Sequence, residues 1–293
     1  MKLTDVLPSY RASSNREAPI EDAHFSNEPA RLFGVFDGVS EAYSPAHPFS
    51  WYFGELTGGQ MAANVFRTRG SSQLPSVDVE RFLLEANEEI LARHRQHHKD
   101  PLLGDDVGGG AFAVCRLGKE RITFVVGADC FAFYKLNGRF HFITNFDEAA
   151  YEVEDRNNRF FAECLERAAG SKAVAFDLFW ERYRLKRIST ANKNKGTGGF
   201  ATLNGDPNVR NLWTVETIDA EPCPEAILLG TDGCLASTLT DPRHRPEFIA
   251  TFSEVYGRGG INGIRAWRDV VESAERHVTA RHEGTALELK LEP

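Results

Sequence analysis

No apolar stretch in this chain approaches the ~20 residues that a bilayer-spanning helix needs, so no membrane span is expected. Its opening, Met1-Lys2-Leu3-Thr4-Asp5, has an acid early and no long apolar core, and does not read as a secretory signal. Basic residues are the minority. With 34 Lys and Arg against 42 Asp and Glu, the net charge is −8, which argues against a dominant nucleic-acid surface. The five cysteines (Cys115, Cys130, Cys164, Cys223 and Cys234) are scattered, odd in number and never spaced C-x-x-C. They suggest neither a disulfide framework nor a zinc site, and the cytosol is the expected compartment. The polar loop Ala191–Gly199 lacks the G-x-x-x-x-G-K-[ST] phrase of a phosphate-cradling loop. No internal repeat or linker divides the 293 residues, and one domain spanning 1–293 is expected.

What is present centres on Leu32-Phe33-Gly34-Val35-Phe36-Asp37-Gly38. The apolar run reads as a strand buried on both faces that ends in an acid. The glycine after it lets the backbone turn and leaves its carbonyl free to face a cation. A similar phrase returns in Ala226-Ile227-Leu228-Leu229-Gly230-Thr231-Asp232-Gly233. Two such strands suggest carboxylates brought together from distant parts of one fold, and hence a metal centre. Glu21-Asp22 stands just ahead of the first strand, at the start of a short one.

Residues 1 to 15 read as an arm or a short edge strand. The segment from Val39 to Gly54, rich in Pro, Ser and aromatics, is long enough for a lid or binding loop. Helical spacing predicts a helix over Gly59–Arg69. A second runs from an N-cap at Asp78 to about His97, with Val79, Phe82, Leu83, Ala86 and Ile90 inward. His94, His97 and His98 close it, and favourable placement near the C-terminal dipole or mere exposure is expected of them rather than metal ligation. From Gly108 the period changes to that of an antiparallel meander: strands over 108–117, 121–129, 130–135 and 139–144, the last two joined by Asn137-Gly138. Two helices follow over 158–190, the second with Val174, Leu178 and Phe179 inward. Strands are expected at 200–204, 213–218 and 226–231, then a helix over 261–281. A closing strand over 285–291 should turn Leu287, Leu289 and Leu291 in, and Glu288 and Lys290 out.

Five segments, in order, resemble the metal-dependent Ser/Thr protein phosphatases of the 2C type, the PPM family, in a divergent, bacterial-like form. They are Glu21-Asp22-Ala23, Phe33 to Gly38, Gly109-Gly110-Ala111, Val126-Gly127-Ala128-Asp129 and Leu228 to Gly233. The resemblance implies an α+β fold, an antiparallel β-sandwich flanked by helix pairs on both sides in α-β-β-α layers. It implies two Mn²⁺ or Mg²⁺ ions, with a third, weaker one in some relatives. Asp37 would bridge two ions, the Gly38 carbonyl and Glu21 would complete one site, and Asp232 would hold the other. Asp129 matches the acid of the third site. Asp22 would orient water, and Arg16 would bind the phosphate. Two hard cations lower the pKa of a bridging water, so hydroxide can attack phosphorus without a protein nucleophile. The implied substrate is phosphoserine or phosphothreonine on a protein, opposing a Ser/Thr kinase.

The sequence also departs from that pattern. The last metal-binding Asp of the family falls on His282, beside Glu283, either of which could ligate. A His common after the first Asp-Gly is Val39 here, and the Ser-Arg after the third Asp is Cys130-Phe131. A second reading is therefore a catalytically weakened or inactive relative that binds phosphopeptides.

Overall fold

The computed structural model describes residues 1–11, 19–48, 52–234, 245–274 and 283–293. Among the described residues ten strands form two five-stranded antiparallel sheets. In chain order they are β1 (Lys2–Arg11), β2 (Ala23–Asn27), β3 (Leu32–Val39), β4 (Gly109–Leu117), β5 (Arg121–Gly127), β6 (Phe131–Leu136), β7 (Arg139–Thr144), β8 (Thr214–Asp219), β9 (Ala226–Gly230) and β10 (Gly284–Glu292). One sheet has the order β1-β10-β9-β6-β7, the other β2-β3-β4-β5-β8.

The strands read as near-continuous apolar runs because each sheet is covered on both faces, and alternate side chains enter different cores. In β3, Phe33 and Val35 pack between the sheets, while Leu32 and Phe36 meet the helices. In β9, Ile227 and Leu229 face the other sheet, whereas Leu228 turns outward with Phe131 and Phe133 of β6. Gly34 has no side chain because a Cβ there would lie 2.5 Å from the Phe25 ring. Its absence lets Phe25 and Phe66 pack over the strand with ring centroids 5.1 Å apart.

Helices α1 (Gly58–Ser71) and α2 (Val79–Gln96) cover the second sheet. Both start at capped ends: Thr57 and Gln60 form a reciprocal capping box, and Asp78 accepts the Arg81 N–H. A hairpin of α3 (Glu148–Arg167) and α4 (Lys172–Thr190) has its own small core around Cys164, Ala175 and Phe179. The first sheet is covered by α5 (Arg245–Ala274), whose backbone leaves helical geometry at Gly260 (φ 57°). That break makes two arms, so helix pairs flank both sides of the sandwich.

Several expectations need correction. The first helix of the hairpin begins ten residues earlier than its apolar spacing indicates, at Glu148. On α4 it is Ala175 and Phe179 that turn inward, while Val174 and Leu178 are exposed. Residues 200–204 form no strand beyond a single bridge at Phe200. Side-chain amides hold part of this segment, with the Ala201 N–H donating to Asn145 Oδ1 at 2.9 Å and the Thr202 N–H to Asn192 Oδ1 at 2.9 Å, while Leu203 exchanges two backbone hydrogen bonds with Gly110. His94 is fully buried, its Nε2 2.8 Å from the Gly108 carbonyl oxygen. Glu288 is buried too, bonded by the Tyr256 hydroxyl of α5. The expected helix beyond residue 274 lies outside the described residues.

Candidate metal centre

The ends of three strands open into one cavity of about 540 Å³, lined by Glu21, Asp37, Gly38, Asp129, Asp232 and Glu283 among others. Asp37 is the sixth residue of β3 and pairs with Ala111 of β4. Beside it, Gly110 is glycine because a Cβ there would lie 2.3 Å from the Asp37 carbonyl oxygen. At Gly38, a Cβ would fall 2.5 Å from the Glu21 carbonyl oxygen, so glycine brings these two segments together. Asp129 follows β5 through Ala128, which has φ 53°. The buried Asn145 holds that turn, accepting the Ala128 N–H at 3.2 Å and donating to the Leu212 carbonyl at 2.7 Å. Asp232 opens a short 3₁₀ turn directly after β9.

The acids oppose one another. Burial raises the Asp37 carboxyl well above the usual range, and Asp22, Asp232 and Asp129 push it further in the same direction. Burial also raises Asp22, followed by the charges of Glu283 and Asp232, against a hydrogen bond from Thr231 that favours the ionised form. Asp129 is raised by burial and by Asp232. Glu21 is raised by burial, although the Ser40 and Thr57 hydroxyls both donate to its Oε1.

Asp22 sits behind the cavity wall. Its Oδ2 accepts the Thr231 hydroxyl at 3.1 Å, and the Thr285 hydroxyl also favours its ionised form. Glu283 turns one oxygen to the backbone, accepting the N–H groups of Glu21 at 2.7 Å and Asp22 at 2.8 Å, and the other to the Tyr10 hydroxyl at 3.2 Å.

No protein-family model and no curated protein matches the chain in sequence. Solved structures do match in shape. Stp1, a serine/threonine phosphatase from Staphylococcus aureus, is 12% identical over 100% of this chain and 96% of its own, with a TM-score of 0.56. MsPP, a PPM Ser-Thr phosphatase from Mycobacterium smegmatis in complex with cacodylate, is 15% identical over all of both chains, with a TM-score of 0.55. The catalytic domain of the serine threonine protein phosphatase PstP, in complex with two manganese ions, is 15% identical over 98% of this chain and 97% of that one, at 0.53. The chain has the fold of the PPM Ser/Thr phosphatases.

Within this PPM fold, Glu21, Asp37, Gly38, Asp129, Asp232 and Glu283 share the cavity, with Asp22 behind them. Arg16 and His282 lie outside the described residues. Among the described residues no three His, Cys, Asp or Glu side chains close a ready-made metal shell. A hydrated hard cation does not require one. Mg²⁺ keeps several waters and is commonly held by one or two carboxylates. The donors present are all oxygen, and the acids repel each other without a counter-ion. The residues therefore fit such an ion.

Sequence reasoning missed the residues that hold these acids: Ser40 and Thr57 on Glu21, Thr231 on Asp22, and Asn145 under Asp129. Two of them left a signal. Thr57-x-x-Gln60 is a capping box, and Thr231 stands inside the Gly-Thr-Asp-Gly phrase. Ser40 and Asn145 have no local signature.

Proposed function

We propose that this protein is a divalent-metal-dependent phosphatase acting on phosphoserine and phosphothreonine of protein substrates. The observation that carries this reading is the convergence of Asp37, Asp129 and Asp232 on one cavity at the strand ends of a PPM fold. Asp37, Asp232 and the Gly38 carbonyl would hold two Mn²⁺ or Mg²⁺ ions, with Asp129 serving a third. Such ions, when bound, supply a nucleophile at neutral pH and neutralise phosphoryl charge. The chain's own residues position the parts. Thr231 orients Asp22, Glu283 fixes the backbone that carries Glu21 and Asp22, and the Ser40 and Thr57 hydroxyls set the Glu21 carboxylate.

The test is hydrolysis of a small aryl phosphate in EDTA, Mg²⁺ and Mn²⁺, by the wild-type chain and by Asp37→Asn and Asp232→Asn. Metal-dependent turnover abolished by both substitutions is the expected result. A second reading, a non-catalytic phosphopeptide-binding relative, is favoured by Val39 in place of the family's common His. Metal binding without turnover in any ion would select it, and the absence of both would overturn the metal centre.

A further inference from the structure

Nine carboxylates and three cations line the cavity; the cations are Lys186, Arg187 and Lys193, and all three belong to the end of α4 and the loop after it. Each cation is paired with one of the lining carboxylates. A phosphate ester carries negative charge into this space. The carboxylates provide oxygen ligands for cations but no N–H donors for phosphoryl oxygens. The three cations carry such donors.

The three cations are not equivalent. Arg187 is committed elsewhere: its Nε donates to Asp106 at 3.0 Å and its Nη2 to the Val107 carbonyl at 3.1 Å, tying α4 to the loop before β4. Lys193 is 43% exposed and lies 3.3 Å from Asp206, nearer to solvent. Lys186 is only 13% exposed; its ammonium bonds to Glu154 of α3 and lies 5.8 Å from the centroid of the Tyr183 ring. An ammonium carries three donors, so this pairing leaves two for a ligand. Glu154 is itself 36% exposed and can turn to water when an anion takes its place. Lys186 lines the same cavity as Asp37, Asp129 and Asp232.

We propose that Lys186 is a phosphoryl-recognition residue of this cavity. Its ammonium, parked on Glu154 in the free protein, transfers to the non-reacting oxygens of the phosphate. This assignment rests on the phosphatase reading for its role in turnover, but the anion binding itself does not depend on catalysis. No covalent step is involved. Charge-assisted hydrogen bonds of this kind set ground-state affinity, so Lys186 governs KM and product inhibition more than kcat.

The experiment is calorimetric titration of the full chain with inorganic phosphate in Mg²⁺ buffer, beside aryl phosphate kinetics, for wild type, Lys186→Met and Lys186→Arg. The expected result is a phosphate Kd and a KM both weakened about tenfold in Lys186→Met, with kcat within about twofold and most affinity restored in Lys186→Arg. A purely structural strut between α3 and α4 would lower the unfolding temperature and leave Kd and KM unchanged, which would overturn the proposal. If Lys186→Met does not fold, Glu154→Gln decides. Removing the competing carboxylate tightens phosphate several-fold if Lys186 binds it, and an unchanged Kd would overturn the assignment. Wild-type protein that binds phosphate through Lys186 without hydrolysing any ester would sustain this inference while the phosphatase reading fails. Wild-type protein that turns over ester with Lys186→Met kinetics unchanged would do the reverse.

Discussion

Glu283 accepts the backbone N–H of Asp22 at 2.8 Å through the same oxygen that accepts the N–H of Glu21 at 2.7 Å. One carboxylate oxygen from the start of the last strand thus fixes the peptide that carries two acids of the cavity. Removing it leaves two part-buried donors and the Tyr10 hydroxyl without their acceptor. Glu283→Ala is expected to cost about 2–3 kcal/mol of stability and Glu283→Gln, which keeps one acceptor oxygen, about 1 kcal/mol. Urea unfolding of the two variants measures the difference.

The clustered carboxylates also predict an inverse relation between metal-free stability and metal response. In EDTA, Asp37→Asn removes a charge that Asp22, Asp232 and Asp129 all oppose, so its unfolding temperature should exceed that of wild type by a few degrees. Mn²⁺ at a hundredfold excess over its Kd should stabilise wild type by about 2.7 kcal/mol and the variant by far less. Thermal unfolding with and without Mn²⁺ checks both halves. A variant less stable than wild type in EDTA would contradict the repulsion.

His94 supplies a pH dependence separate from the metal centre. Burial lowers its pKa to about 4, only partly offset by its bond to the Gly108 carbonyl. The unfolded chain, with an ordinary histidine pKa of about 6.5, takes up the proton first. Stability is therefore unaffected by this group above about pH 6.5 and declines as the pH falls from there to about 4, by about 3 kcal/mol in all. Replacing His94 with Gln keeps a donor for the Gly108 carbonyl and should flatten that part of the pH profile, as followed by denaturant unfolding at a series of pH values.

Arg187 and Asp106 form a mostly buried pair that joins α4 to the loop before β4, and the other Asp106 oxygen accepts the Ala42 N–H at 2.7 Å. Arg187→Met strands the Asp106 charge and should cost about 3 kcal/mol or more. Adding Asp106→Asn, which keeps an acceptor for Ala42, should recover a large part of that loss. A double-mutant cycle in urea measures the coupling.

The strands that carry Asp37 and Asp232 were legible because their apolar runs end abruptly in Asp-Gly, and a strand buried on both faces cannot hide that pattern. The helix that carries His94 was legible as a helix but not in the fate of its histidine. The loop after it returns to place the Gly108 carbonyl against the ring's Nε2, and nothing local marks such a return. Glu288 looked like the outward residue of an alternating strand. In fact the outward face of β10 is covered by α5, where the Tyr256 hydroxyl waits, and a strand's own alternation does not report what lies beyond it. The first turns of α3 contain mostly charged and polar residues, with Ala150 and Asn157 as their buried members, so they lack the apolar stripe that announces a helix. The acids of the cavity could be read from strand ends; the hydroxyls and amides that hold them could not, since their partners lie tens to hundreds of residues away.

The strand order carries a consequence for the nascent chain. The sheet β2-β3-β4-β5-β8 is complete once residue 219 has been made, and its helices α1 and α2 precede that point. The other sheet is different, because β10 lies between β1 and β9, pairing Leu3 with Leu291 on one side and Leu287 with Leu229 on the other. Until β10 leaves the ribosome, β1 has no neighbour and Asp22 lacks Glu283. One half of the sandwich can fold during translation while the other waits for the final strand. The acid cavity then waits for β10 and Glu283, however much of the second sheet has already formed.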